Sequence, residues 1–354
     1  MQTTRRSLLQ SSALAIAAPA LRFPNAQLPG GWAPKLSESM PDVNPPTLRW
    51  LRQIGCKHVI FSGTGNVDRE RKGYWNVADI LRAKESCDEA GVSLETMMIP
   101  IDFYPKAMLG EPGRDEEIEK VCRTIKAAGE VSIPMLEWRF WPDFFWDSRV
   151  GYYEIPGRGE ASLRAFDYDR IRNAPPFDGI GIVGEEEMWS RFLYFAKPIV
   201  KSAEQANLKL SMHPNDPPIS KMRGVARIFH HTDGLRRFVR EIPSSANGIT
   251  FCVGTIAEMG VNVLEEIRYF GKLGRINIVH LRAVRGTVPR YKEVFIDEGD
   301  VDMFLAMKTY KEVGYEGLID SDHTPHMEGD TKYGHMGRAF SHGYMRALIH
   351  ALNS

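Results

Sequence analysis

The sequence predicts a single-domain (β/α)8 barrel with loop insertions. Eight short apolar runs alternate with longer helix-like segments, the pattern of βα units around a parallel sheet. At 354 residues the chain has room for one barrel of about 250 residues plus excursions. It shows no internal repeat and no Gly/Ser-rich linker that would divide it.

The predicted strands cover residues 35–37, 57–62, 93–99, 132–136, 208–212, 249–253, 275–281 and 317–320. Each is rich in Val, Ile, Leu, Met or Thr, the side chains that suit a buried parallel strand. Helical patterns fill the intervals, over 46–54, 77–90, 115–128, 188–206, 235–240, 263–273, 301–313 and 335–352. The fourth is the clearest: Trp189, Phe192, Leu193, Ala196, Ile199, Val200 and Ala203 fall on one face of a helix. The stretch 138–176 is dense in Trp, Arg, Asp, Gly and Pro and reads as a long loop over one barrel mouth. Aromatics there, including Trp138, Phe140, Trp141, Phe144, Phe145 and Trp146, suit either sugar stacking or loop packing.

Composition is that of a globular protein, with 43% hydrophobic and 25% charged residues. Basic and acidic side chains balance at 45 each, so no global field gathers nucleic acid or anionic lipid. The expected partner is a small molecule, and a homo-oligomer is compatible with the sequence without being specified by it. Cys56, Cys87, Cys122 and Cys252 form no CxxC pair and no disulfide framework. Residues 1–27 read as an export signal, with 28–354 as the catalytic domain. Arg5-Arg6 precedes a small-residue apolar stretch resembling a twin-arginine leader, too short for a permanent membrane span. This predicts a periplasmic protein, with a cytoplasmic one as the alternative.

The chemistry concentrates at strand ends. His213 follows the 208–212 run, Cys252 lies in the next, His280 near the end of the third, and Asp322 follows the fourth. In a barrel the C-terminal strand ends converge on the active-site face. Two imidazoles, a thiolate and a carboxylate then form a ligand set for one divalent cation. Recurrence at one structural position in four successive units carries this reading, since any one of these residues alone is more often structural.

Polar neighbours point the same way. In His213-Pro214-Asn215-Asp216-Pro217-Pro218 the prolines stiffen a turn that would hold Asn215 and Asp216 over the cation. Arg282, two residues after His280, would take a substrate carboxylate or make a rim salt bridge. His323 and Tyr333 are candidates for proton transfer and Arg338 for anion binding. His326, His335, His342 and His350 read as helix-surface or capping residues. Gly63-Thr64-Gly65 lacks the third glycine of a dinucleotide fingerprint, since Asp68 stands there, and no Walker loop, GxSxG elbow or HExxH is present.

These motifs together resemble the mannonate dehydratase family, which has a xylose isomerase-like TIM barrel. The resemblance rests on Met212 to Pro218, Ala246 to Gly254, Val279-His280-Leu281-Arg282, Gly299 to Met303, Asp322-His323, Tyr333 and Met336-Gly337-Arg338, in that order. Weaker similarity includes Leu163 to Asp167 and extends over about residues 35 to 350. It implies a hydro-lyase of carbohydrate and glucuronate catabolism, converting D-mannonate to 2-keto-3-deoxy-D-gluconate. The implied ion is manganese or ferrous iron, zinc less so, on His213, Cys252, His280 and Asp322, with His323 and Tyr333 in acid–base roles. Two departures bear on the sugar: Phe61-Ser62-Gly63-Thr64-Gly65 replaces a histidine pair, and Asn215 stands where the family usually has Asp. The competing expectations are an isomerase or epimerase on the same barrel and an exported sugar-acid-binding protein without turnover.

Overall fold

The computed structural model describes residues 31–63, 72–141 and 151–354. In chain order the elements are β1 (Lys35–Met40), α1 (Pro45–Gln53), β2 (His58–Phe61), α2 (Val77–Glu89), β3 (Ser93–Met98), α3 (Pro105–Leu109), α4 (Arg114–Glu130) and β4 (Met135–Trp138). Next come β5 (Tyr152–Pro156), β6 (Ser162–Asp167), α5 (Glu185–Gln205), β7 (Lys209–Met212), β8 (Lys221–Met222), β9 (Val225–Ala226), α6 (Thr232–Glu241) and β10 (Asn247–Cys252). The rest are α7 (Val253–Glu258), α8 (Val263–Lys272), β11 (Ile276–His280), β12 (Ala283–Thr287), β13 (Arg290–Val294), α9 (Met303–Glu312), β14 (Leu318–Asp320) and α10 (His335–Asn353).

Eight parallel strands close in the order β1-β14-β11-β10-β7-β4-β3-β2. These are the eight predicted runs, and a principal helix lies at each of the eight predicted helical patterns. Local signals set the helix starts. The Asn44 side chain accepts from Thr47 N at 3.0 Å ahead of two prolines, and Asn76 and Asp79 form a reciprocal capping box. The amphipathic face of α5 is buried through Met188, Trp189, Phe192, Phe195, Ala196, Ile199, Val200 and Ala203. The barrel unit runs from Trp32 to Ser354, and its core is one connected apolar cluster apart from a small separate group, Ile60, Ile278 and Leu318.

The expected loop over 138–176 is corrected by the structure. β5 and β6 pair antiparallel there, and β6 also pairs with β13, giving a sheet of order β12-β13-β6-β5. Each strand is too short and too rich in charged and aromatic residues to show a clean period of two. Residues 142–150, which include Phe144, Phe145 and Trp146, lie outside the described residues, as do the leader and residues 64–71. Trp138 and Phe140 are core, stacked and edge-on against Phe192. Among the described residues no helix is long and apolar enough to cross a membrane.

Candidate metal centre and active site

Three barrel strands deliver three ligand side chains to one point. His213 is the first residue past β7, and Cys252 and His280 end β10 and β11, where they are direct register partners. Ligand atoms of the three lie within 4.8 Å of one another, and all three residues are buried. The His213 and His280 ring centroids are 5.2 Å apart. Asp322 stands beside them: its Oδ2 lies 3.6 Å from Cys252 Sγ and 3.8 Å from His280 Nδ1. Asp322 has a left-handed backbone, φ 55°, and its N–H donates to Asp320 Oδ1 at 2.6 Å. That contact offsets the cost of a positive φ at a non-glycine residue.

The imidazoles are prepared as neutral donors. His213 Nδ1 lies 2.7 Å from the carbonyl of Pro214, which can only accept, so the proton sits on Nδ1 and Nε2 keeps its lone pair. Burial, assisted by Arg139 and His280, holds His213 well below its ordinary pKa, and burial lowers His280 as well. Neither ring nitrogen of His280 has a hydrogen-bond partner among the described residues. An orphaned buried imidazole costs free energy unless something else binds it. Burial pushes the Cys252 thiol up, and its sulfur accepts from Thr255 N at 3.4 Å, capping α7. These donors suit a divalent cation, whose binding would displace the thiol proton.

Arg282 was expected to take a substrate carboxylate or to make a salt bridge at the rim, and the structure shows it in salt bridges. It is 1% exposed and is gripped by four carboxylates: Glu258 at 2.6 Å, Asp216 at 2.8 Å, Asp322 at 3.0 Å and Glu293 at 3.3 Å. A Cβ at Gly254 would lie 2.6 Å from its Cγ, so this glycine makes room for it. Asp216 is likewise bound into the protein, through Arg282 and the Tyr152 hydroxyl at 2.7 Å. Asn215 Oδ1 accepts from Phe229 N at 2.8 Å and fixes the turn. All three side chains are thus engaged by groups of the protein itself. For Glu258, burial outweighs Arg282 and raises the carboxyl to about 8. For Asp322, burial is outweighed by His323, His280 and Arg282, and the carboxyl stays well below its usual range.

A cavity of about 370 Å³ adjoins this group, lined among others by Tyr152, Arg164, Glu293, His323, Tyr333 and Arg338. His323 Nδ1 lies 2.6 Å from Arg164 Nη2 and 3.2 Å from Glu293 Oε1. These partners ask for opposite tautomers. The guanidinium needs a bare Nδ1 and puts the proton on Nε2; the carboxylate needs Nδ1–H and leaves Nε2 as a base. Tyr333 is raised by burial, against the opposing effect of Arg338, and keeps its proton. Arg338 Nε donates to the Tyr333 carbonyl at 3.2 Å and Nη1 to Glu38 at 3.3 Å.

The sequence reading missed Glu38, Glu137, Arg164, Glu258 and Glu293. Glu137 on β4 is buried, 4.0 Å from His280 Nε2, and an acid inside the apolar run Met135-Leu136-Glu137-Trp138 was its only signal. Arg164 lay within the weaker resemblance and carried no role there. His342 is corrected from a surface or capping residue to a fully buried one, its Nδ1 3.5 Å from Glu38 Oε1, and His326 to a cavity-lining one.

The fold and the strand-end ligands define a xylose isomerase-like TIM barrel. The "xylose isomerase domain protein" from Planctomyces limnophilus shares that fold, with TM-score 0.58 and 13% identity over 91% of this chain and 99% of its own. The D-mannonate dehydratase (UxuA) family model matches residues 161–354. The mannonate dehydratase of Streptococcus uberis is 31% identical over 336 residues, covering 87% of this chain and 95% of that relative. The crystal structure of mannonate dehydratase from Streptococcus suis serotype 2 aligns with TM-score 0.81 and 28% identity over 90% of this chain and 95% of its own. The chain belongs to the D-mannonate dehydratase family and is an enzyme of the hydro-lyase class.

Proposed function

We propose that this enzyme dehydrates D-mannonate to 2-keto-3-deoxy-D-gluconate with a divalent cation held by His213, Cys252, His280 and Asp322. The observation that carries the reading is the buried His213–Cys252–His280 cluster, with neither ring nitrogen of His280 hydrogen-bonded among the described residues. Manganese or ferrous iron suits a mixed sulfur, nitrogen and oxygen set that must also accept substrate oxygens; zinc favours four ligands and a closed site. When bound, the cation supplies Lewis-acid stabilisation of the charge that develops on the substrate carboxylate.

The protein's own groups supply binding and proton transfer. The C2 proton is α to a carboxylate and weakly acidic, so its loss needs a positioned base. His323, in the tautomer bonded to Glu293, presents Nε2 for that proton. Tyr333, kept protonated by burial, donates to the departing C3 hydroxyl. The enol that remains ketonises to the 2-keto acid. Arg338 Nη2, uncommitted while Nε and Nη1 are held, receives the substrate's anionic end.

The test is to load the purified protein with manganese or ferrous iron, supply a panel of aldonates and assay 2-keto-3-deoxy acids. Mannonate turnover is expected; interconversion of aldoses and ketoses with no keto acid would overturn the reading. We also propose that residues 1–27 direct export. A double Arg5→Lys, Arg6→Lys change then retains the protein in the cytoplasm, and a cytoplasmic location of the unaltered chain would refute this.

A further inference from the structure

The cavity lining combines two kinds of group. His323, Tyr333 and Arg338 belong to the proton-transfer and anion-binding set. The hairpin contributes the rest: in the β5–β6 register Glu154 faces Arg164 and Pro156 faces Ser162. Alternation along a strand puts Ser162 and Arg164 on one face, two residues or roughly 7 Å apart. Arg164 touches His323, and Ser162 lies two residues before it on β6. There Ser162 Oγ donates to Glu154 Oε2 at 3.1 Å. Reciprocal backbone bonds of 2.9 and 3.0 Å tie Ser162 to His326, and Glu154, Ser162 and His326 all line the cavity.

We infer that Glu154 determines specificity on this hairpin wall, admitting a sugar acid that ends in hydroxyls and rejecting one that carries a second carboxylate. The inference rests on the reading that the cavity holds the sugar acid. A carboxylate only accepts hydrogen bonds; the hydroxyls of C5 and C6 can donate to it, while a terminal carboxylate brings like charge and no proton to share. The guanidinium opposite it in register, Arg164, does not cancel this effect, because Glu293 at 2.5 Å and His323 already engage it.

The experiment compares kcat/KM of the full-length, manganese-loaded enzyme for D-mannonate and for the same acid oxidised at C6. It is run at pH 8. The unaltered enzyme is expected to favour mannonate by about 10-fold or more, with Glu154→Gln narrowing the ratio about 10-fold and Glu154→Lys narrowing it further. Equal use of the two acids, or a ratio unmoved by Glu154→Gln, would overturn the inference while leaving the dehydratase reading intact. No keto acid from any aldonate would instead sink that reading. In that event thermal shifts of the same proteins with each acid decide: preferential stabilisation by mannonate, lost in Glu154→Lys, supports the role of Glu154, and equal shifts refute it.

Discussion

The two mouths of the barrel are built from opposite ends of the same strands and differ in how their polar groups are satisfied. At the N-terminal mouth Lys35, His58 and Glu95 form a closed set, with Glu95 accepting from Lys35 at 3.0 and 3.1 Å and from His58 at 2.8 Å. A cavity of about 550 Å³ opens there, lined by Lys35, Glu95, Lys209 and Glu316 among others. At the C-terminal mouth the cavity formed by the described residues is smaller, about 370 Å³, yet next to it stand an imidazole with no hydrogen-bond partner among those residues and carboxylates that outnumber the guanidinia between them. Among the described residues, volume alone would favour the N-terminal mouth. Unspent bonding capacity, left where folding could have satisfied it, marks the end where chemistry happens.

The contrast is broken most severely at the sulfur. Cys252→Ser is expected to empty the centre and cut turnover by about 10³-fold, read by metal analysis and by the keto-acid assay. Full metal occupancy in that variant would remove the thiolate from the ligand set. Next, Arg282→Met leaves four acids facing one another without their shared cation, and destabilisation of about 3–5 kcal/mol should appear in denaturant unfolding. An unchanged midpoint would show that the network is not a structural support. Tyr333→Phe should keep the metal and lower turnover by about 10²-fold, while exchange of a deuterium at C2 persists through His323. Loss of that exchange together with turnover would assign the base to Tyr333.

The smallest effect belongs to the other mouth. Burial opposes ionisation of Glu95, but His58 and Lys35 prevail and hold the carboxyl at about 2, below its unfolded value. A depressed carboxyl stabilises the fold above the unfolded pKa and loses that contribution as pH falls through the folded one. Glu95→Gln should therefore cost about 1 kcal/mol at pH 7, reduced by solvent at the open mouth, with the deficit fading between about pH 5 and pH 2. Keto-acid formation is expected to be unchanged. A drop in kcat would mean that the two mouths are coupled.

What the sequence disclosed follows from this division. A buried parallel strand announces itself by a run of apolar residues, and a polar ligand at its end interrupts that run, so His213, Cys252 and His280 stood out. Glu137 hid because it lies within the run, and one acid there gives no indication of the histidine across the barrel. Arg164 and Glu293 were illegible for a different reason. They meet across strands of a sheet whose pairing joins segments more than a hundred residues apart, and nothing local encodes the encounter. Arg282 was found with two readings left open, because its spacing from His280 fixes a direction and says nothing of the acids already waiting there.

The side chains that would hold the ion ride on the closed ring, whereas one wall of the adjoining space rides on two antiparallel ribbons outside it. Apart from Glu293 and Arg164, which are tied to Arg282 and His323, the residues of that wall can change without disturbing the ion's holders. Lineages descending from such an ancestor could alter their diet by rewriting a ribbon while inheriting the anchor unaltered, a separation of labour that lets one scaffold try new nutrients without surrendering its chemistry.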